Sequence, residues 1–302
     1  MNNTYILLGG DGYYGRNFQY YLAEKDKYFI IIDKNIPNDF YDEILIKTHI
    51  LDYIYIDLNK NDCVKEIINK IEFFKDNVII INFAAISFVD YSIVHPEETI
   101  INNLKCCING YKLSIHFNNS IYIYISTDEV RVEKDDDDLS PYVISKRKCE
   151  KFLKSVLNDK IYIIRPVNLM DVIYPGIKGL KQKNKCLLTN ITNSIINNKN
   201  VVLHSGNQKR MFMTVRNACK LLLNVSIFKY NIIDVVELPH LRTSDLKIHD
   251  IVYFLQYVYK YKIDIIDNPR GKYQDETYLN KNEEYNKNSL TMVLNAVNRM
   301  LN

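Results

Sequence analysis

Tryptophan is missing from the 302 residues, and neither sign of charge predominates: 39 Lys and Arg stand against 36 Asp and Glu, a formal net charge of +3. The basic residues are scattered and never form a run interleaved with aromatics, so the electrostatic footprint of a nucleic-acid binder is lacking. Six cysteines, at positions 63, 106, 107, 149, 186 and 219, include no C-x-x-C pair and no Cys/His cluster with zinc spacing. No metal site is expected, and the thiols read as reduced ones in a cytoplasmic chain. No long apolar run occurs either. The stretch Tyr5 to Leu8 stops in glycines, which marks a first strand and not a signal peptide or a membrane span. There is no internal repeat and no low-complexity linker, and the acidic run Asp135 to Asp138 reads as a solvated loop.

What is present is a rhythm. Short apolar runs recur as "YILLGG" from Tyr5, "YFIIID" from Tyr28, "YIYIDL" from Tyr53, "VIIINFAA" from Val78, "IYIYIST" from Ile121 and "KIYIIRP" from Lys160. Their hydrophobicity is continuous and not alternating, the pattern of strands buried on both faces of a parallel sheet. The segments between them, near Arg16 to Ala23, Asp62 to Lys75, Pro96 to Asn118 and Tyr142 to Leu157, are long enough for crossover helices. The fold class is therefore α/β, a Rossmann-like doubly wound parallel sheet. Beyond Pro166 the rhythm breaks at Pro175-Gly176 and Gly179. Helical stretches Leu187 to Ile196 and Leu246 to Tyr261 and the run "NIIDVVEL" from Asn231 are assigned to a smaller, partly interleaved C-terminal lobe. The expected division is 1–166 for a dinucleotide-binding domain and 167–302 mainly for a substrate lobe, with segments packing back on the first domain.

In "LLGGDGYYG", Gly9, Gly12 and Gly15 are spaced by three, directly after the first strand and ahead of a helix. Glycine is required where the backbone turns tightly and lets a pyrophosphate approach the amides of a helix N-terminus. Asp33, at the end of the second strand, is placed to accept the adenosine ribose hydroxyls and to repel a 2′-phosphate, which favours NAD over NADP. Tyr142 and Lys146 in "SPYVISK" are four apart, on one face of a predicted helix. A phenol beside an ammonium and a cationic nicotinamide ring ionises more readily, so Tyr142 is a candidate base; the spacing alone also fits a surface pair. The adjacent acids Asp128 and Glu129 in "IYIYISTDEVR" are open to two readings, a polar turn closing a strand or an acid and a base.

Taken together, the glycine triplet, Asp33, Asp57-Leu58, "NFAAISFVDYS", Asn103, "STDEV", "PYVISK" and "RPVN" resemble the extended short-chain dehydrogenase/reductase superfamily, the NAD-dependent epimerase/dehydratases. Within it, Thr127-Asp128-Glu129 is most similar to the nucleotide-sugar 4,6-dehydratases. The resemblance runs over roughly the first 170 positions and more faintly through "HSGNQKRMFMTV". It implies NAD held by Gly9, Gly12, Tyr13, Tyr14, Gly15, Asp33, Asp57, Leu58, Ala84, Ala85, Tyr142 and Lys146, with Ser87, Asn168 and Arg210 on the nucleotide-sugar substrate. Carried over, Tyr142 and Lys146 serve oxidation at C4, Thr127 orients that hydroxyl, Glu129 takes the C5 proton and Asp128 protonates the departing C6 hydroxyl. Lys181 and His204 are secondary candidates, read as exposed. Arg131 stands where the family continues with Tyr, Phe88 follows Ser87 where it commonly has His, and the loop before Tyr142 is short. A nucleotide-sugar epimerase, a 4-ketoreductase and a non-enzymatic dinucleotide sensor are the alternatives. The resemblance further implies a homodimer through the two long helices.

Overall fold

The structure is a computed structural model and describes residues 3–35, 44–71, 77–156, 160–170, 173, 187–197, 199–204, 209–225, 231–234, 246–260, 263–266 and 287–301. The chain divides into two compact units, one made of Met1–Thr127, Pro141–Arg165 and Cys219–Ile233, the other of Asp128–Ser140, Pro166–Ala218 and Asp234–Asn302.

In the first unit the six apolar runs form the strands β1 (Thr4–Leu8), β2 (Phe29–Asp33), β3 (Ile50–Tyr55), β4 (Val78–Asn82), β5 (Ser120–Ile125) and β6 (Ile161–Arg165). They alternate with α1 (Tyr13–Glu24), α2 (Ile44–Lys47), α3 (Cys63–Ile71), α4 (Val89–Val94), α5 (Pro96–Ser114) and α6 (Pro141–Ser155). Every residue of β2 and of β4 is buried, as continuous hydrophobicity requires of strands covered on both faces. β3 lies at the sheet edge, and its residues are mostly exposed or half-buried. It begins three residues before the run that announced it, at Ile50, leaving Asp57 and Leu58 beyond its end. α5 opens on Pro96 at its first turn, followed by Glu97 and Glu98, and carries Lys112 in its last turn. The proline lacks an N–H that the first turn would leave unpaired, and the acids and the lysine suit the charge at their ends of the helix.

Four short strands follow in chain order in the second unit, β7 (Asn168–Met170), β8 (Val201–His204), β9 (Lys209–Arg210) and β10 (Phe212–Thr214), with α7 (Leu187–Ile196); α8 (Val215–Leu223) begins in this unit, and its residues from Cys219 on are counted with the first. Next comes β11 (Ile232–Asp234), which the apolar pattern had assigned to the C-terminal lobe. It is the seventh strand of the large sheet, whose order is β11-β6-β5-β4-β1-β2-β3. Two isoleucines and an aspartate carry no information about which sheet edge they cover; here Asn231 anchors the strand, its carbonyl accepting from Ile163 N at 2.7 Å and its side-chain amide donating to Ile161 O at 2.8 Å. The second unit is completed by β12 (Leu246–Lys247), α9 (Ile248–Tyr259), β13 (Ile263–Ile266) and α10 (Lys287–Leu301). Three two-stranded pairings hold it, β7 with β10 and β8 with β13 parallel, and β9 with β12 antiparallel. Pro175-Gly176, Gly179 and the run after Asp234 lie outside the described residues.

The large sheet positions the chemistry through its register. Leu8 is aligned with Ile32 on one side and Asn82 on the other, and Asn82 with Tyr124. The C-terminal ends of β1, β2, β4 and β5 therefore share one edge, and the winding reverses between β1 and β4. Open α/β sheets bind ligands in such a crevice. Close packing behind that edge is enforced by Asn82, whose amide donates to Cys106 O at 3.0 Å and to the Tyr122 hydroxyl at 2.8 Å, while that hydroxyl donates to Cys107 O at 3.1 Å.

Gly110 of α5 sits directly over this network. A Cβ there would fall 2.8 Å from Asn82 Nδ2 and 2.8 Å from the Tyr122 hydroxyl. Replacing glycine inside a helix by alanine gains about 1 kcal/mol in propensity, whereas forcing a methyl into a fixed buried network costs about 1–3 kcal/mol. Gly110→Ala is expected to lower the urea unfolding midpoint; a variant more stable than the parent would show that the network yields.

Candidate active site

The glycine loop is shaped by three different requirements. Gly9 has φ of +69°, and a Cβ on it would lie 2.6 Å from the backbone of Ala84, so both conformation and space demand glycine. A Cβ on Gly15 would meet Gly10 O at 2.5 Å, which is the close approach of α1 to the loop. Gly12 differs: it is exposed, and its Cβ would meet only Gly9 O at 3.4 Å. Protein does not fill the space outside Gly12. It precedes α1 without any side chain capping the helix, as a site for a pyrophosphate at amide N–H groups requires.

Asp33 ends β2 with its carboxylate buried. One oxygen accepts Asp11 N at 2.9 Å, and the other accepts Asn35 N at 3.0 Å and Asn35 Nδ2 at 2.8 Å. The acid is thus fixed to the glycine loop. Beneath the loop lies an ion pair that the sequence pattern did not reveal: Arg16, fully buried in α1, donates from Nε to Asp11 Oδ1 at 2.9 Å. Gln19 Nε2 adds a bond to Gly10 O at 2.8 Å. An arginine immediately after the last glycine, in a helix that must pack under a sheet, is the signal that was available. Tyr14 is buried edge-on against Phe83, and Tyr13 opens α1.

Around the remaining cofactor candidates the backbone is held by asparagines. Asp57 Oδ1 accepts Asn59 N at 2.9 Å, and the carbonyl of buried Leu58 accepts Asn109 Nδ2 at 2.7 Å. Ala84 N donates to Asn82 Oδ1 at 3.0 Å; Ala84 and Ala85 are half-buried and Ser87 is exposed. Asn103 of α5 accepts Ile86 N at 2.7 Å, and its amide donates to Ile86 O at 3.0 Å and to Ser145 Oγ at 2.8 Å. Ser145 Oγ in turn donates to Tyr142 O. One asparagine therefore ties the loop after β4 to the helix that bears Tyr142.

Pro141 opens α6, and Tyr142 is half-buried one residue later. The Lys146 ammonium is buried, donates to Ile125 O at 2.7 Å, and lies 4.8 Å from the Tyr124 ring centre and 5.9 Å from that of Tyr142. Burial holds its pKa below the usual lysine value, with the neighbouring Cys149 acting the other way. Thr127 is buried just after β5. The Gly-loop residues, Asp33, Asp57, Leu58, Ala84, Ala85, Ser87, Thr127, Tyr142 and Lys146 all belong to the first unit.

The two acids belong to the second unit. Asp128–Arg131 is a single 3-10 turn, anchored by Asp128 N donating to Pro166 O at 3.1 Å. Asp128 is buried, and its pKa is pushed up to about 7, first by burial and then by the charge of Glu129, against the pull of Arg210 and Arg131. Glu129 is half-buried with Arg210 4.0 Å away. Asn168 is paired through both its backbone N and its Nδ2 with Met211 O, the residue next to Arg210. His204 ends β8. Lys181 lies outside the described residues. The acid turn thus unites Asp128, Glu129 and Arg210, residues far apart in sequence.

A model of the NAD dependent epimerase/dehydratase family matches residues 5–229, and the chain belongs to that family. NAD is its cofactor, and the open face of Gly12, the uncapped α1 and the buried Asp33 carboxylate fit it. No curated protein sequence matches the chain. Among solved structures, a UDP-N-acetylglucosamine 4-epimerase from Methanobrevibacter ruminantium has a TM-score of 0.73 at 19% identity, covering 99% of this chain and 98% of its own. A UDP-glucuronic acid 4-epimerase from Bacillus cereus gives 0.72 at 17% identity over 98% and 99%. The NDP-hexosamine 5,6-dehydratase TunA gives 0.72 at 14% over 99% and 97%. At these identities the likeness is one of fold.

Gly12→Val fills space that the protein leaves open, so the variant is expected to fold normally and to lose NAD binding in a calorimetric titration. The parent protein is expected to bind NAD+ more tightly than NADP+. Unchanged NAD+ affinity in the variant, or tighter NADP+ binding by the parent, would count against these roles of Gly12 and Asp33.

Proposed function

We propose that the chain is a nucleotide-sugar 4,6-dehydratase, which converts an NDP-hexose to the NDP-4-keto-6-deoxyhexose and recycles its NAD internally. The observation that supports the reading is the inequality of two neighbouring carboxyls. Asp128 is buried, with its pKa pushed up to about 7 despite the pull of Arg210 and Arg131, whereas Glu129 is only half-buried and has the Arg210 guanidinium 4.0 Å away. Elimination needs one carboxyl protonated and one charged at the same pH, and unequal burial is a recognised way to obtain this.

NAD, when bound, supplies a reversible hydride acceptor at the sugar carbon. The chain's residues manage protons. Tyr142 takes the proton of the 4-hydroxyl, with the Lys146 ammonium favouring the phenolate and Thr127 orienting that hydroxyl. The C4 ketone acidifies the C5 hydrogen, which Glu129 removes. Asp128 gives its proton to the C6 oxygen, and water departs. Glu129 then returns its proton to C5 as C6 is reduced, so substrate and product differ by one water. Arg210, a planar fork suited to phosphate oxygens, is the proposed clamp for the diphosphate, with Asn168 and Ser87 beside the substrate. An epimerase or a ketoreductase relies on Tyr142 and Lys146 and leaves the raised pKa of Asp128 without a task. A homodimer through α5 and α6 is part of the proposal, supported by Ile101, which is half exposed on α5. So is a reducing cytoplasm, supported by five buried free thiols among the described residues.

Tyr142→Phe is expected to lower turnover by roughly 10²–10⁴ while NAD affinity is kept. Glu129→Gln and Asp128→Asn are each expected to suppress the 4-keto-6-deoxy product. Incubation with UDP-, dTDP-, GDP- and CDP-hexoses should give a product one water lighter, without added reductant, that carries deuterium at C5 when formed in D2O. Product of unchanged mass, or a stoichiometric requirement for reduced cofactor, would refute the dehydratase reading. The pH dependence has a definite sign. Asp128 acts when protonated, and its protonated fraction falls as pH rises through about 7. Turnover should therefore decline above neutrality, and the residual rate of Asp128→Asn should lose that limb.

A further inference from the structure

Glu150 is a carboxylate almost fully buried on α6, with no role in the proton chemistry above. It follows Lys146 by one helical turn, as Lys146 follows Tyr142, so the three share a face of the helix. Its Oε1 accepts Ser126 Oγ at 2.7 Å and Arg165 Nε at 2.8 Å, and Oε2 pairs with the Arg165 guanidinium and, at 3.5 Å, with Lys154 Nζ. Ser126 is the residue before Thr127, and Arg165 is the last residue of β6. Ser126 N also donates to Ile164 O at 2.7 Å, and Lys146 Nζ holds Ile125 O. A single carboxylate thus connects the ends of two adjacent strands to the helix that carries the base.

Removing a charge from water at such a place is costly, and an apolar contact would attach α6 at lower cost. What an apolar contact lacks is direction. The bonds from Ser126 and Arg165 fix both how far α6 slides along the sheet and how it turns, and so where the Tyr142 phenol lies relative to the Thr127 hydroxyl. Charge is the second link. Burial, the largest influence on Glu150, pushes its pKa up, but the bonds from Arg165 and Ser126, with the charges of Arg165 and Lys154, outweigh it and keep the carboxyl below its ordinary value. The anion then favours the charged form of Lys146, which burial disfavours.

We propose that Glu150 is a positioning residue for the reaction: through Ser126 and Arg165 it sets the Tyr142–Lys146 face against Thr127, and its charge supports the Lys146 ammonium. The proposal rests on Tyr142 and Lys146 forming the oxidising pair, and it holds for dehydratase and epimerase alike. The groups that face Glu150 are Ser126 just after β5, Arg165 of β6, and Lys146 and Lys154 of α6. Those that face Lys146 are Tyr124 of β5, Cys106 and Cys107 of α5, and Tyr142, Cys149 and Glu150 of α6.

The test compares Glu150→Gln, Glu150→Ala and the core control Leu153→Ala. Misplacement of a reacting group by about 1 Å costs roughly 10²-fold in rate, so Glu150→Ala should lose about that much in kcat with KM little changed, and Glu150→Gln, which retains an acceptor for Ser126, should lose less. Leu153→Ala should lower Tm without a comparable loss of kcat below its Tm. In the protein without ligands, the 13Cε resonance of Lys146 should titrate at lower pH in Glu150→Gln than in the parent, a readout that stands if no sugar is turned over. Inactivity of the parent on every sugar would count against the proposed function alone. An unchanged Lys146 titration together with kcat losses that merely follow Tm across all three variants would overturn the positioning role.

Discussion

Leu8 is aligned with Ile32 on one side and with Asn82 on the other, and this register is the constraint on which the first unit depends. Parallel neighbours cannot be joined by a tight turn, so each strand end begins a connection at the same edge of the sheet. Gly9 follows β1, Asp33 closes β2, Ala84 follows β4 and Thr127 follows β5 for that one reason. A displacement of one residue between β1 and β4 would part the Gly9 backbone from Ala84, which it approaches so closely that no Cβ fits.

On this frame a series of asparagines and buried ion pairs fixes what strand pairing leaves loose. Asn82 attaches α5, Asn103 attaches the loop after β4 and reaches Ser145, and Glu150 attaches β5 and β6 to α6. Each group satisfies backbone or side-chain polar atoms that would otherwise be stranded at a buried strand end, where an unmade hydrogen bond costs about 1–3 kcal/mol. The Asp11–Arg16 pair does the same beneath the glycine loop. Rigidity at the edge is thus obtained from polar contacts with direction, while the apolar core on both faces supplies bulk stability.

The acid turn shows a second use of burial. Asp128 and Glu129 are neighbours with the same functional group, yet one is enclosed and the other stands near a guanidinium. Desolvation disfavours a charge, and at Asp128 it prevails over the opposite charges of Arg210 and Arg131. Lys146 obeys the same rule with the sign reversed, since burial there favours the neutral amine and the nearby Glu150 opposes it.

Much of this was legible in the residues because it depends on local pattern. Continuous apolar runs announce six strands of the parallel sheet, Gly9, Gly12 and Gly15 announce the loop, and the spacing of Tyr142 and Lys146 defines one face of α6. Each of these follows from backbone periodicity or from glycine's lack of a Cβ, and both act over a few residues. The tertiary structure alone decided that "NIID" joins β6, that Arg16 is buried against Asp11, that Arg165 and Ser126 converge on Glu150, and that Asp128 keeps its proton to about pH 7. These depend on desolvation and on partners such as Pro166 and Arg210 that are remote in the chain. No periodicity reports which distant residue will enclose a charge; that is settled by which surfaces the folded chain brings together.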